Sequence, residues 1–209
     1  MSFYWIKTNA LIKRVFSKYI WDIPNKENKI YLTFDDGPTP KVTEWVLNEL
    51  QKHNAKATFF CIGKNIKKYP GIFKKITNDG HSIGNHTFNH RNGWKTTTKD
   101  YLENIKLCDS TIKNQKSKLF RPPYGKIKPK QSYRLRKMGY AIIMWDILSA
   151  DFDQTITPQH CLDNVLRNVK SGSIIVFHDS QKAFRNLEYI LPRVLEELKS
   201  KAFTFDLIQ

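Results

Sequence analysis

The chain has 209 residues, enough for one domain with a full core and too few for two ordinary ones. Apolar residues at 40% and aromatics at 13% exclude a disordered chain, and the absence of any repeat of fixed period excludes a solenoid. The formal charge of +16 attracts polyanions whatever the fold. The basic residues, however, are scattered along predicted helices with no recognised nucleic-acid motif, so no specific nucleic-acid partner is expected. A solvated basic face, or attraction to an anionic envelope polymer or lipid surface, is the expectation instead.

Residues 3–21 mix Phe3, Tyr4, Trp5, Ile6, Leu11, Ile12, Val15, Phe16, Tyr19 and Ile20 with Lys7, Lys13, Arg14 and Lys18. The charges rule out a continuous spanning helix, and no apolar core followed by a small-residue cleavage site is evident. The pattern predicts an amphipathic helix packed on the domain or in peripheral contact with a membrane. The expected setting is therefore cytoplasmic or peripherally associated with the cell envelope. Residues 22–28 read as a polar linker, so 1–28 form an N-terminal helix and linker ahead of a catalytic domain over 29–209.

Strands are predicted over 29–34, 57–61, 81–84, 118–121, 141–145, 173–177 and 203–207, with helices over 40–51, 65–78, 99–113, 130–138, 158–169 and 186–199. The first of these helices is marked by Thr39-Pro40, a capping residue followed by proline, and by the stripe Val42, Val46, Leu50. Gly80, Gly139 and Gly172 fall where a helix gives way to the next strand. Such alternation predicts a parallel sheet wrapped by helices, either open or closed into a barrel. Asp35 and Asp36, His86 and His90, Arg121, Trp145 and Asp146, and His178 and Asp179 all follow the C-terminal ends of different predicted strands. A barrel gathers those ends on one rim, which favours an α/β fold with an irregular (β/α) barrel of about seven parallel strands, smaller than the usual eightfold form of about 250 residues.

Two adjacent carboxylates, Asp35 and Asp36, close the first strand before Gly37-Pro38, and His86 and His90 stand four residues apart, which on a helical turn would place both imidazoles on one face. One Asp and two His make a three-ligand site for a divalent metal with a position left for water, and the spare Asp stands ready to take that water's proton. Cys61, Cys108 and Cys161 are odd in number and form no Cys-x-x-Cys pair, so neither a disulfide framework nor a thiolate zinc site is expected. The residues thus predict a metal-dependent hydrolase.

Residues 33–38, 82–90, 121–125, 145–152 and 176–178 resemble, in order, the five motifs of the polysaccharide deacetylases, also called the NodB homology or carbohydrate esterase family four. The resemblance runs from about residue 29 to the C-terminus. It implies that Asp36, His86 and His90 hold the metal, that Asp35 is the catalytic base, and that Arg121 restrains it. It further implies that the backbone N–H of Tyr124, beside Pro123, stabilises the oxyanion. Asp151 would polarise the catalytic His178, with Phe152, Val176 and Trp145 around the acyl pocket. The fourth motif departs from many relatives in having Phe152 where Trp follows the Asp, and Leu148 where an acid is common. An apolar wall survives both changes, while the sugar site is reshaped. The implied cofactor is one divalent ion, zinc first for one oxygen and two nitrogen ligands, with cobalt, nickel or manganese able to take the same set. The implied substrate is an N-acetylated glycan such as peptidoglycan or a chitin-like oligosaccharide, the alternative being another small amide, formamide or ester.

Overall fold

The structure is a computed structural model that describes residues 4–112 and 118–209. Its strands are β1 (Lys29–Asp35), β2 (Ala57–Cys61), β3 (Ser82–Asn85), β4 (Leu119–Phe120), β5 (Ala141–Ile142), β6 (Ile147–Leu148), β7 (Ile174–His178) and β8 (Thr204–Phe205). They pair in parallel in the order β5-β4-β3-β2-β1-β7-β6, with β8 beside the start of β1. The curled, all-parallel sheet agrees with the predicted irregular barrel. The helices are α1 (Ala10–Val15), α2 (Val42–Lys52), α3 (Gly63–Lys68), α4 (Pro70–Asn78), α5 (Thr98–Asp109), α6 (Pro129–Lys137), α7 (Pro158–Leu166) and α8 (Phe184–Ser200). Among the described residues none is long and apolar enough to cross a membrane.

The alternation of side chains along β1 sorts the core into two layers. Ile30, Leu32 and Phe34 join the layer under the helices, where Val42, Val46 and Leu50 of α2 and Leu187, Ile190, Leu191, Val194 and Leu198 of α8 are buried. Tyr31 points the other way, into an interior plug with Phe60, Leu119, Ile143, Ile174 and Ile208. Above that plug the inward positions Thr33 and Asp35 turn polar. With both faces covered, β1 is buried from Ile30 to Asp35, as a central parallel strand requires.

Four local expectations are corrected. The predicted helix over 65–78 is two helices, because Tyr69, at φ −128° and ψ 57°, precedes Pro70 and is pushed out of the helical region. The α2 cap is Lys41 at φ 67°, not Thr39, although the Thr39 carbonyl does accept from Thr43 N at 2.9 Å. The two-residue strand β6 is absent from the expected set, being too short to leave an alternation signal. Among the described residues the N-terminal segment is helical only over Ala10–Val15, with Leu11, Val15 and Phe16 exposed. The predicted end of the helix 99–113 lies outside the described residues.

The rest of that N-terminal segment lies along the open seam of the barrel. β5 and β6 sit at opposite ends of the strand order, and each would leave unpaired backbone groups. On the β5 side, Ile20 N donates to Ile142 O at 2.9 Å and Met144 N to Ile20 O at 2.7 Å. On the β6 side, Leu148 N donates to Ile6 O at 2.8 Å and Thr8 N to Asp146 O at 2.9 Å. Asp146 is fully buried in this seam, where it accepts from Lys7 Nζ and Ser173 Oγ, both at 2.6 Å, and pairs with Lys13. Burial alone would raise its pKa, but the two lysines and Ser173 hold it below the usual carboxylate value. The double variant Lys7→Met/Lys13→Met strands this carboxylate without a countercharge. It is expected to lose about 3 kcal/mol or more of unfolding free energy, read from the urea midpoint. An unchanged midpoint would show that the clasp contributes nothing to stability.

Candidate active site

The barrel rim receives Asp35 and Asp36 from the end of β1, His86 and His90 from the loop after β3, Arg121 and Tyr124 after β4, and His178 from the end of β7. The β1 and β7 register sets Asp35 beside His178 and Thr33 beside Val176, so all four face the interior. His86 and His90 do not share a helical turn. Residues 86–90 form an irregular loop in which Thr87 and His90 adopt φ 63° and 53°, pinned where Asn85 Oδ1 accepts from Thr87 N at 2.8 Å. The four-residue spacing brings the imidazoles together all the same, with ring centroids 5.1 Å apart.

Asp36, His86 and His90 each offer a ligand atom within 4.8 Å of the others. Asp36 Oδ1 lies 3.3 Å from His90 Nε2 and 3.8 Å from His86 Nε2. It is buried with no hydrogen-bond partner, an arrangement that is costly unless a cation occupies the gap. His86 Nδ1 lies 2.8 Å from the Arg121 carbonyl, which can only accept, so the proton sits on Nδ1 and the Nε2 lone pair faces Asp36. Burial, outweighing the nearby carboxylates, lowers the His86 pKa to about 4, so the ring is neutral at pH 7. An orphaned carboxylate oxygen and an imidazole fixed in the ligating tautomer fit a divalent metal.

Asp35 is held separately. Arg121 is fully buried and donates from Nη1 to Asp35 Oδ1 at 2.8 Å and to Thr33 Oγ1 at 2.7 Å, from Nη2 to Met144 O at 2.9 Å, and from Nε to Ile143 O at 3.3 Å. Its guanidinium also stacks over Phe60, 4.1 Å from the ring centre. Burial pushes the Asp35 pKa up, but the charge of Arg121, helped by His86 and His178, prevails and holds it below the ordinary value. Asp35 Oδ2, the oxygen away from Arg121, lies 4.0 Å from His86 Nε2, at the edge of the ligand cluster.

His178 accounts for the third part of the rim. Its Nδ1 lies 2.7 Å from Asp151 Oδ1, and its backbone N–H donates to Asp151 Oδ2 at 2.8 Å. Burial lowers the His178 pKa, while the charge and hydrogen bond of Asp151 outweigh it and raise the group to about 9. The Phe152 ring stands edge-on to the imidazole with centroids 5.1 Å apart, and Val176 is buried one inward step below. Tyr124 has φ 60° and lays its ring 4.6 Å from that of His90. Pro123 is buried, and Trp145 supports this loop from beneath, so close that a Cβ on Gly125 would stand 2.8 Å from its ring.

Sequence reasoning left two supporting residues out of the site. Thr33, one inward step below Asp35, accepts from Arg121 and donates to Ile175 O at 2.7 Å; the strand alternation alone places it there. Asp179 is fully buried and accepts from Gly37 N at 2.9 Å and Thr43 Oγ1 at 2.5 Å, tying the loop after β1 to β7. A Cβ on Gly37 would stand 1.9 Å from Asp179 Oδ2, so only glycine permits this contact. Burial raises the Asp179 pKa to about 8. The dipeptide His178-Asp179 was the only signal for it.

A parallel α/β barrel that gathers on one rim three side chains able to hold a metal, a restrained carboxylate and a carboxylate-paired histidine has the parts of a metal-dependent hydrolytic centre. The family model for polysaccharide deacetylases matches residues 22–143, and the chain belongs to that family of hydrolases. A peptidoglycan-N-acetylglucosamine deacetylase of Bacillus cereus is 33% identical over 191 residues, covering 90% of this chain and 69% of that protein. A chitooligosaccharide deacetylase of Azorhizobium caulinodans is 34% identical over 161 residues, covering 75% of this chain and 76% of that one. The crystal structure of the Bc1960 peptidoglycan N-acetylglucosamine deacetylase, bound to a naphthyl N-hydroxybenzamide, superposes with a TM-score of 0.88 at 31% identity, covering 94% of both chains.

Proposed function

We propose that the chain removes acetyl groups from the amide nitrogen of N-acetylglucosamine units in an envelope glycan, peptidoglycan or a chitin-like oligosaccharide. The observation that carries this reading is the meeting, on one rim, of the Asp36, His86 and His90 cluster with the Asp35–Arg121 and His178–Asp151 pairs. The Bacillus cereus and Azorhizobium caulinodans relatives are named as deacetylases of such glycans, which supports the same substrate class.

Asp36, His86 and His90 are the residues that would hold the ion, zinc being favoured by one oxygen and two nitrogen donors. When bound, a divalent ion supplies positive charge that acidifies water and polarises an acyl oxygen. Asp35, kept ionised by Arg121, takes the proton of the attacking water. The Tyr124 N–H is the donor assigned to the oxygen on which negative charge develops; loss of one such donor typically costs about 3 kcal/mol. His178, kept protonated by Asp151, gives its proton to the amide nitrogen as the carbon–nitrogen bond breaks, so that acetate and a free amine leave. Phe152 and Val176 wall the space for the acetyl methyl, and Trp145 supports the loop that carries Pro123 and Tyr124.

Product mass after incubation with defined N-acetylchitooligosaccharides tests the reading. Each turnover should remove one acetyl group and release one acetate. Release from aryl esters or formamides alone, with the glycans untouched, would move the chain to a different substrate class on the same site.

A further inference from the structure

Tyr4 lies far outside the family match and well before the first rim residue, yet it reaches the loop that carries Asp151. Its hydroxyl donates to Asp153 Oδ2 at 2.6 Å, and its ring meets Phe152 edge-on with centroids 5.5 Å apart. Phe152 in turn stands edge-on to His178 at 5.1 Å. Three side chains therefore form a continuous stack from the N-terminal segment to the proposed acid.

The stack is anchored on both sides. Asp153 Oδ1 accepts from Thr155 N at 2.9 Å and Thr155 Oγ1 at 2.6 Å, leaving Oδ2 to Tyr4. From α8, Asn186 Nδ2 donates to Asp151 O at 3.0 Å and Asp153 O at 3.1 Å, which fixes the backbone on either side of Phe152. The backbone is thus held from behind, while the Phe152 ring is met edge-on by Tyr4 and His178, with Lys182 Nζ 5.8 Å from its centre. The ring is only half-buried and smaller than an indole, so its position depends on what abuts it.

We infer that Tyr4 is a specificity-determining positioning residue: through the contact of its ring with Phe152 it sets how far the acyl pocket yields to a chain longer than acetyl. This rests on the reading that Phe152 walls that pocket. An apolar pocket rejects one added methylene by about 10- to 200-fold when its wall is rigid. Releasing the wall relaxes that rejection and leaves the proton-transfer groups in place.

The test compares kcat/KM for N-acetyl- and N-propionyl-chitotriose in the parent, Tyr4→Phe, Tyr4→Leu and Tyr4→Ala, all metal-loaded. Tyr4→Phe keeps the ring contact and should hold the acetyl-to-propionyl ratio within about twofold of the parent. Tyr4→Leu and Tyr4→Ala should shrink that ratio by about tenfold, through a gain on the propionyl substrate. Tyr4→Leu retains apolar bulk and serves if Tyr4→Ala does not fold. A ratio unchanged in Tyr4→Leu, with both substrates slowed alike, overturns the inference and leaves Tyr4 a merely structural contact. A parent without activity on N-acetyl-chitotriose would instead overturn the proposed function, so the two failures are distinguishable.

Discussion

Asp35→Asn is expected to lower kcat by about 100- to 10,000-fold, the contribution of a well-placed general base, while the protein still takes up a divalent ion. The amide keeps the shape of the carboxylate and can still accept from Arg121 Nη1, which lies 2.8 Å from Asp35 Oδ1. It cannot take a proton from water. His86→Ala should behave differently, because it removes a nitrogen whose tautomer is fixed for ligation by the Arg121 carbonyl. In that variant metal affinity and turnover fall together. Competition titration of the metal against a chromophoric chelator, run beside the rate assay, separates the two. Loss of metal from Asp35→Asn to the same degree as from His86→Ala would show that Asp35 is a ligand and that the base lies elsewhere. Asp35→Asn also strips the buried Arg121 of its countercharge, so its unfolding midpoint should drop, and rates are best compared well below it.

Asp151→Asn is expected to move the alkaline limb of the pH–rate profile to lower pH. In the parent, burial depresses the His178 pKa but Asp151 more than compensates and sets it at about 9, so the imidazole is still charged at pH 8. Without that charge the burial remains, opposed only by Asp36 and Asp35, and the pKa falls. A return to the ordinary histidine value of about 6.5 cuts the protonated fraction at pH 8 by about 30-fold, and activity at that pH with it. The same pair has a signature in stability. A histidine with a raised folded-state pKa stabilises the fold fully below pH 6.5, and that contribution is lost as pH rises through about 9. Titration of the His178 ring by NMR reads the shift directly. A parent and variant with superimposable profiles would remove His178 from the role of proton donor.

The strand–helix alternation after residue 29, the polar residues at strand ends and the order of the five motifs were all legible in the chain, because each is written within a few neighbouring residues. The inward alternation of β1 even carries Thr33 and Asp35 to one face without further information. Other features depend on partners far away in sequence. Tyr69 could be suspected of breaking a helix from the proline after it, but the left-handed residues Thr87 and His90 that fold the ligand loop are set by long-range contacts such as Phe88 N to Asn104 Oδ1 at 2.9 Å. Asp179, which by sequence could cap the strand end or place an acid at the rim, is a buried tie between β7 and the loop after β1. The N-terminal residues read as one amphipathic helix; the unpaired backbone groups of β5 and β6 instead draw the stretches around Lys7 and Ile20 into isolated bridges on either side of the short helix α1. No local periodicity encodes that seam, since the need for it arises only when the ends of the sheet curl toward each other. The residues that carry chemistry were thus fixed by the chain itself, while tertiary closure alone decided what holds Asp146, braces Phe152 and brings Tyr4 within two rings of His178.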